Sequence, residues 1–122
     1  MKVLLIDDDE DIRRITWLVL ERVGGMQVLQ ASSGAEGLQK AGDEKPDVIL
    51  LDVVMPGMDG LDTFAALRAN PVTTNIPVIF LTAKVIASEI EHLKNLGTAG
   101  VLTKPFDTLT LASHIRALLQ EE

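Results

Sequence analysis

The chain has 122 residues, 47% of them hydrophobic, and a formal net charge of -7 at pH 7; that suffices for one compact domain burying roughly two thirds of its unfolded surface. The acidic balance argues against direct binding to nucleic acid or anionic membranes, which reward clustered Lys and Arg, and the lack of cysteine excludes disulfides, thiolate metal sites and cysteine nucleophiles. The opening MKVLLI is too short for a signal-peptide core and no later apolar run approaches a membrane span, so a soluble, cytoplasmic protein is expected.

KVLLI at 2–6 reads as a first strand, followed by five consecutive acids, Asp7 to Asp11, and a helix. In that helix Ile12, Ile15, Val19 and Val23 recur at helical spacing, and the glycines at 24 and 25 end it. Trp17 falls nearly opposite this stripe, which points to an exposed indole used for docking; the competing reading folds it against the last helix near Leu118 or Leu119. MQVLQ at 26–30 is a second strand, and the next helix opens on a capping box, Ser33 to Glu36, with Ala35, Leu38 and Ala41 inward. DVILL at 47–51 is a third strand, and MPGMDG is a turn shaped by Gly57 and Gly60. Asp59 and Gly60 open a third helix with Leu61, Phe64 and Leu67 inward. PVIFL at 77–81 precedes a fourth helix burying Ile86, Ile90 and Leu93; GVLT at 100–103 precedes a fifth, capped by Asp107, burying Leu111, Ile115 and Leu118. His92 and His114 fall on separate helices and read as surface residues.

Strands alternating with helices predict a parallel sheet covered on both faces, an α/β doubly wound (βα)5 domain over residues 1–122 with strand order 2-1-3-4-5. That order makes strands 1 and 3 neighbours at the switch point, beyond whose carboxyl ends ligands bind. The residues there are Asp7 and Asp8 after strand 1, Asp52 after strand 3, Thr82 after strand 4, and Lys104 with Pro105 after strand 5; strand 2 ends in nothing comparable. Carboxylates this close repel one another by roughly 1 to 4 kcal/mol per pair. Oxygen donors of this kind suit Mg²⁺, and Lys104 adds a fixed positive charge. Asp9, Glu10 and Asp11 have a plainer reason, since a helix N-terminus favours each acid by about 0.3 to 1 kcal/mol.

Four segments, LLIDDDEDIRR, DVILLDVVMPGMDGLD, IPVIFLTAK and GTAGVLTKPF, together resemble the receiver domain of two-component response regulators, of the chemotaxis-regulator type with a flavodoxin-like fold. The resemblance implies that Asp52 accepts a phosphoryl group from a phosphohistidine of a histidine kinase or phosphotransfer protein. It implies Mg²⁺, with Mn²⁺ able to substitute, held by the Asp8 and Asp52 side chains and the Val54 carbonyl, with Asp7 acting mainly through water. Thr82 and Lys104 would contact the phosphoryl group, and the peptide before Pro105 would be cis. Output would pass through helix 4, strand 5 and helix 5 to a target protein, an output domain or a second copy. On this reading the chain is a signalling domain that assists its own phosphotransfer and dephosphorylation rather than an enzyme. Val101 stands where most members carry an aromatic coupled to the threonine, so a smaller signal on strand 5 is implied. Val54 and Lys84 flank the expected path of a hydrolytic water, and apolar Val54 implies slow loss of the phosphoryl group. A phosphatase of the haloacid dehalogenase type would need a second Asp at position 54, and an FMN carrier would need a Ser/Thr-rich loop after strand 1 where this chain has acids. An inert docking module would have no use for the complete acidic set.

Overall fold

The computed structural model describes residues 1–83 and 87–120, so Ile86 and Lys84 of the sequence reading lie outside the described residues. The chain alternates β1 (Lys2–Ile6), α1 (Glu10–Arg22), β2 (Gln27–Ala31), α2 (Gly34–Glu44), β3 (Val48–Asp52), α3 (Gly60–Ala69), β4 (Val78–Thr82), α4 (Ala87–Lys94), β5 (Gly100–Thr103) and α5 (Leu111–Gln120). The five strands form one parallel sheet in the order β2-β1-β3-β4-β5. β2, β3 and β4 each lie one residue later than the apolar pattern suggests. At the site the reason is the ladder: Val53 N–H still bonds the Leu81 carbonyl and Lys104 N–H the Thr82 carbonyl, so Asp52 and Thr82 are rungs of the sheet, not loop residues.

Every residue of β3 and β4 is buried, as strands covered on both faces should be. Alternate side chains feed two apolar layers. Leu4, Ile6, Ile49, Leu51 and Phe80 meet Ala41 of α2, Phe64 and Leu67 of α3 and Leu93 of α4. Val3, Leu5, Leu50, Ile79 and Leu81 meet Leu20 of α1 and Leu111, Ala112 and Ile115 of α5. Each large side chain so buried stabilises the fold by roughly 1.5 to 3 kcal/mol.

The buried face of α1 differs from the expected stripe. Thr16 and Leu20 point at the sheet, whereas Ile15 is 50% and Val23 58% exposed. Ile12 and Val19 are half-buried. Trp17 is not an exposed docking residue: it is half-buried and packs on the cluster to which Leu118 and Leu119 also belong. α1 packs against β2 and α5, and these two neighbours together decide which of its apolar residues are covered. Smaller corrections follow from the same packing. Gly34 and Gly37, rather than Ala35, bring α2 closest to its neighbours, and Leu61 is exposed while Phe64 and Leu67 are buried.

The caps are local and mostly as expected. Ser33 accepts the Glu36 N–H at 3.1 Å, but the Glu36 carboxylate turns to the N–H and hydroxyl of Ser32 at 2.8 and 3.0 Å instead of closing the box on Ser33. The Ser32 N–H, with Lys40 at 3.2 Å, holds the Glu36 carboxyl below the usual carboxylate range. Asp107 does not cap α5; its Oδ1 takes the Leu109 N–H at 2.9 Å, closing a turn before the helix begins at Leu111.

Candidate functional site

β1 ends at Ile6 and delivers Asp7 fully buried to the carboxyl edge of the sheet, its N–H bonded to the Ala31 carbonyl at 3.1 Å. The chain then turns into α1 through Asp9, the N-cap, whose Oδ1 accepts from Asp11 N–H at 2.9 Å and Ile12 N–H at 3.3 Å. Asp9, Glu10 and Asp11 therefore serve the helix terminus, as their position suggested. Three further contacts fix Asp7. The Asp9 N–H reaches its Oδ1 at 2.9 Å, the Lys104 ammonium its Oδ2 at 2.8 Å, and Arg13 Nη1 its backbone carbonyl at 2.7 Å. Asp8 is exposed at the rim.

β3 supplies Asp52, 7% exposed and opposite Leu81 in the β3–β4 register. Thr82, buried and one residue further, closes β4 beside Thr103 of β5. Lys104 follows β5 through a cis bond to Pro105, and its Nζ lies 3.4 Å from Asp52 Oδ1 as well as 2.8 Å from Asp7 Oδ2. The topology thus brings Asp7, Asp8, Asp52, Thr82 and Lys104 to one edge. Val54 adds its backbone N–H to the Asp52 carboxyl, while its side chain is 66% exposed.

Burial, and next the charge of Asp7, push the Asp52 carboxyl up to about 6, although Lys104 and the Val54 N–H pull the other way. Burial alone would lower Lys104; hydrogen bonding and charge from Asp7, then Asp52, outweigh it and raise the ammonium above its ordinary value. Carboxylate oxygens of Asp7, Asp8 and Asp52 all lie within 4.8 Å of one another, against one ammonium. Such an all-oxygen set with surplus negative charge, free of imidazole and thiolate, fits a hard divalent cation such as Mg²⁺.

Three features of the site had weak or no sequence signal. Arg13, six residues from Asp7, clamps its carbonyl, and nothing in the spacing marked it. Gly60, read as a turn former, has a stricter role: a Cβ there would stand 2.2 Å from the Asp52 carbonyl oxygen and 2.7 Å from Val53 Cα. Beside Lys104 lies an apolar hollow of about 170 Å³ lined by Ile12, Ile15, Pro105 and Phe106, close in sequence to Leu109, which is 77% exposed. The surplus of apolar residues on α1 was its only trace in the sequence.

The family model for the response regulator receiver domain matches residues 3–116. The chain is 38% identical over 118 residues to Protein PilH of Pseudomonas aeruginosa, covering 97% of each. It is 36% identical over 118 residues to the transcriptional regulatory protein CseB of Streptomyces coelicolor, covering 97% of this chain and 49% of that one. It therefore spans nearly all of PilH and about half the length of the transcriptional regulators it matches. Among solved structures, the chemotaxis response regulator CheY4 of Vibrio cholerae shares the fold with a TM-score of 0.87 at 33% identity, covering 96% of this chain and 97% of that one.

Proposed function

Because this chain belongs to the response regulator receiver domains, phosphorylation-dependent signalling switches, we propose that Asp52 is its phosphoacceptor and that Lys104, Thr82 and the neighbouring carboxylates serve that residue. The observation that carries this assignment is the Lys104 ammonium lodged between Asp7 and Asp52 at 2.8 and 3.4 Å. A carboxylate oxygen of Asp52 attacks the phosphorus of a phosphohistidine; an O–P bond forms, the N–P bond breaks, and its electron pair returns to the imidazole. Lys104 shields charge on the phosphoryl oxygens and Thr82 donates its hydroxyl to one of them, which is most of what a protein contributes to a loose phosphoryl-transfer transition state. Asp7, Asp8, Asp52 and the Val54 carbonyl would hold Mg²⁺ or Mn²⁺. When bound, the ion supplies further neutralisation of the phosphoryl oxygens. The domain thereby assists its own phosphorylation and dephosphorylation without being an enzyme for another substrate, and exposed Val54, unable to hydrogen-bond a water, favours slow loss of the group.

Receiver domains act between histidine kinases and outputs, and a cytoplasmic location suits that exchange; no helix among the described residues is long and apolar enough to cross a membrane. The face of α4, β5 and α5 is the proposed output surface, toward a target protein, an output domain or a second copy. α4 supports this, because Leu93 is its one buried residue among those described, and a helix so lightly anchored shifts at low cost. Val101, half-buried on β5, gives that face an aliphatic side chain to report with. The whole of residues 1–122 is assigned to this one domain.

Acetyl phosphate with Mg²⁺ should add the mass of one phosphoryl group, and peptide mapping should place it on Asp52. Label on another residue, or undiminished label in Asp52→Asn, would overturn the assignment. For a protein phosphodonor, docking falls to the apolar hollow beside Lys104, since Trp17 takes the alternative role of packing on the cluster with Leu118 and Leu119. Ile15→Asp is expected to slow transfer from the cognate phosphohistidine protein by roughly tenfold, the loss of one interface anchor, while labelling by acetyl phosphate stays unchanged. Equal loss with both donors would remove the docking role.

A further inference from the structure

At the end of the sheet opposite the acidic rim, a cavity of about 390 Å³ opens between the end of α3, the starts of β4 and β5 and the last turn of α5. Its wall includes Arg68, Thr74, Pro77, Thr98, Ala99 and Leu118. Arg68 is half-buried, with its guanidinium carbon 4.7 Å over the centre of the Phe64 ring. Its Nη1 donates to the carbonyls of Thr74 and Ile76, both at 3.0 Å, tying down the loop before β4. Those two bonds use the protons of Nη1 alone. Among the described residues, no hydrogen bond uses Nε or Nη2 and no carboxylate forms an ion pair with this side chain. Burial accordingly lowers the guanidinium from its ordinary value. Arg14 meets Glu10, whereas Arg13 and Arg116, like Arg68, donate to backbone carbonyls.

A partly desolvated cation without a counter-ion is costly, and here it borders a cavity within the size range of small-ligand sites. Pro77, Ala99 and Leu118 contribute apolar side chains to a lining that also holds Thr74, Asn75 and Thr98. A guanidinium offering a side-by-side pair of N–H groups matches a carboxylate fork to fork. We propose that this cavity binds a small amphipathic carboxylate, its charged end paired with Nε and Nη2 of Arg68 and its apolar end against Pro77, Ala99 and Leu118. A loop clamp alone would account for Nη1 but for neither the unused face of the guanidinium nor the apolar side chains that share its cavity.

The probe is benzoate, with benzamide as its uncharged isostere, titrated into the isotope-labelled wild-type chain and followed by amide shifts. Benzoate should shift the Thr98 and Ala99 amides saturably, with a Kd in roughly the millimolar range, and benzamide should bind at least tenfold more weakly. Arg68→Gln should abolish the preference for benzoate. Because that change also loosens the loop, Ala99→Leu, which fills the cavity and leaves Arg68 intact, should block binding as well. Asp52→Asn should bind benzoate like wild type, so the result is independent of the phosphoacceptor assignment. Equal shifts with both probes, the absence of saturation, or shifts centred on the Lys104 edge would overturn the proposal.

Discussion

Asp52→Asn should raise the melting temperature of the metal-free domain at pH 7 by roughly 5–10 °C while abolishing the proposed acceptor. The Asp52 carboxyl is pushed up to about 6 by burial and by the charge of Asp7, against 3.8 for an unperturbed group. The folded chain therefore holds this proton more tightly than the unfolded chain does, and folding is penalised wherever the unfolded carboxyl is ionised. That penalty is full above about pH 6 and disappears below about 3.8. Its size is about 3 kcal/mol at neutral pH, since each pKa unit is worth about 1.4 kcal/mol, and the variant should recover about 2 kcal/mol of it because the amide pairs less well with Lys104. Chemical denaturation from pH 7 down to 4 should accordingly show the advantage of the variant shrinking as wild type recovers stability from this group. Mg²⁺ at pH 7 should narrow the gap from the other direction, stabilising wild type more than the variant. A variant less stable than wild type at pH 7 would mean that the Lys104 contact outweighs the repulsion, and the electrostatic account of the rim would fail.

Gly60→Ala is expected to cost about 3 kcal/mol and to impair phosphorylation at Asp52 by an even larger relative margin. An alanine Cβ would lie 2.2 Å from the Asp52 carbonyl oxygen, 2.7 Å from Val53 Cα and 3.0 Å from the Asp52 carbonyl carbon. All three are backbone atoms, so no side chain can swing aside. Relief requires the start of α3 to move off the end of β3, breaking the 2.9 Å bond from Gly60 N–H to the Val53 carbonyl and displacing the acceptor from Lys104. Gly57→Ala is the informative contrast. Gly57 adopts φ 72, yet a Cβ there meets nothing within 4 Å, so alanine costs only about 1 to 2 kcal/mol of left-handed strain and leaves the acceptor in place. Denaturation midpoints and acetyl phosphate labelling rates of the two variants test this. Equal labelling rates would show that the close approach at residue 60 does not position Asp52.

The sequence determined the elements and the residues at the carboxyl edge, because these rest on short-range chemistry: apolar runs of strand length, caps at helix starts, and polar side chains where a strand stops; the strand order followed from the few topologies that right-handed crossovers allow. Asp7, Asp8, Asp52, Thr82 and Lys104 were legible as a set for that reason, since a parallel sheet converts position at a strand end into proximity in space. What the tertiary structure decided depends on elements distant in sequence. The sheet selects Thr16 and Leu20 of α1 for burial, α5 covers Trp17, and Ile15 is left exposed beside Lys104. Likewise the clash reserved by Gly60, the clamp of Arg13 and the unpaired face of Arg68 exist only where two segments meet, and no periodicity within one segment encodes the distance to another.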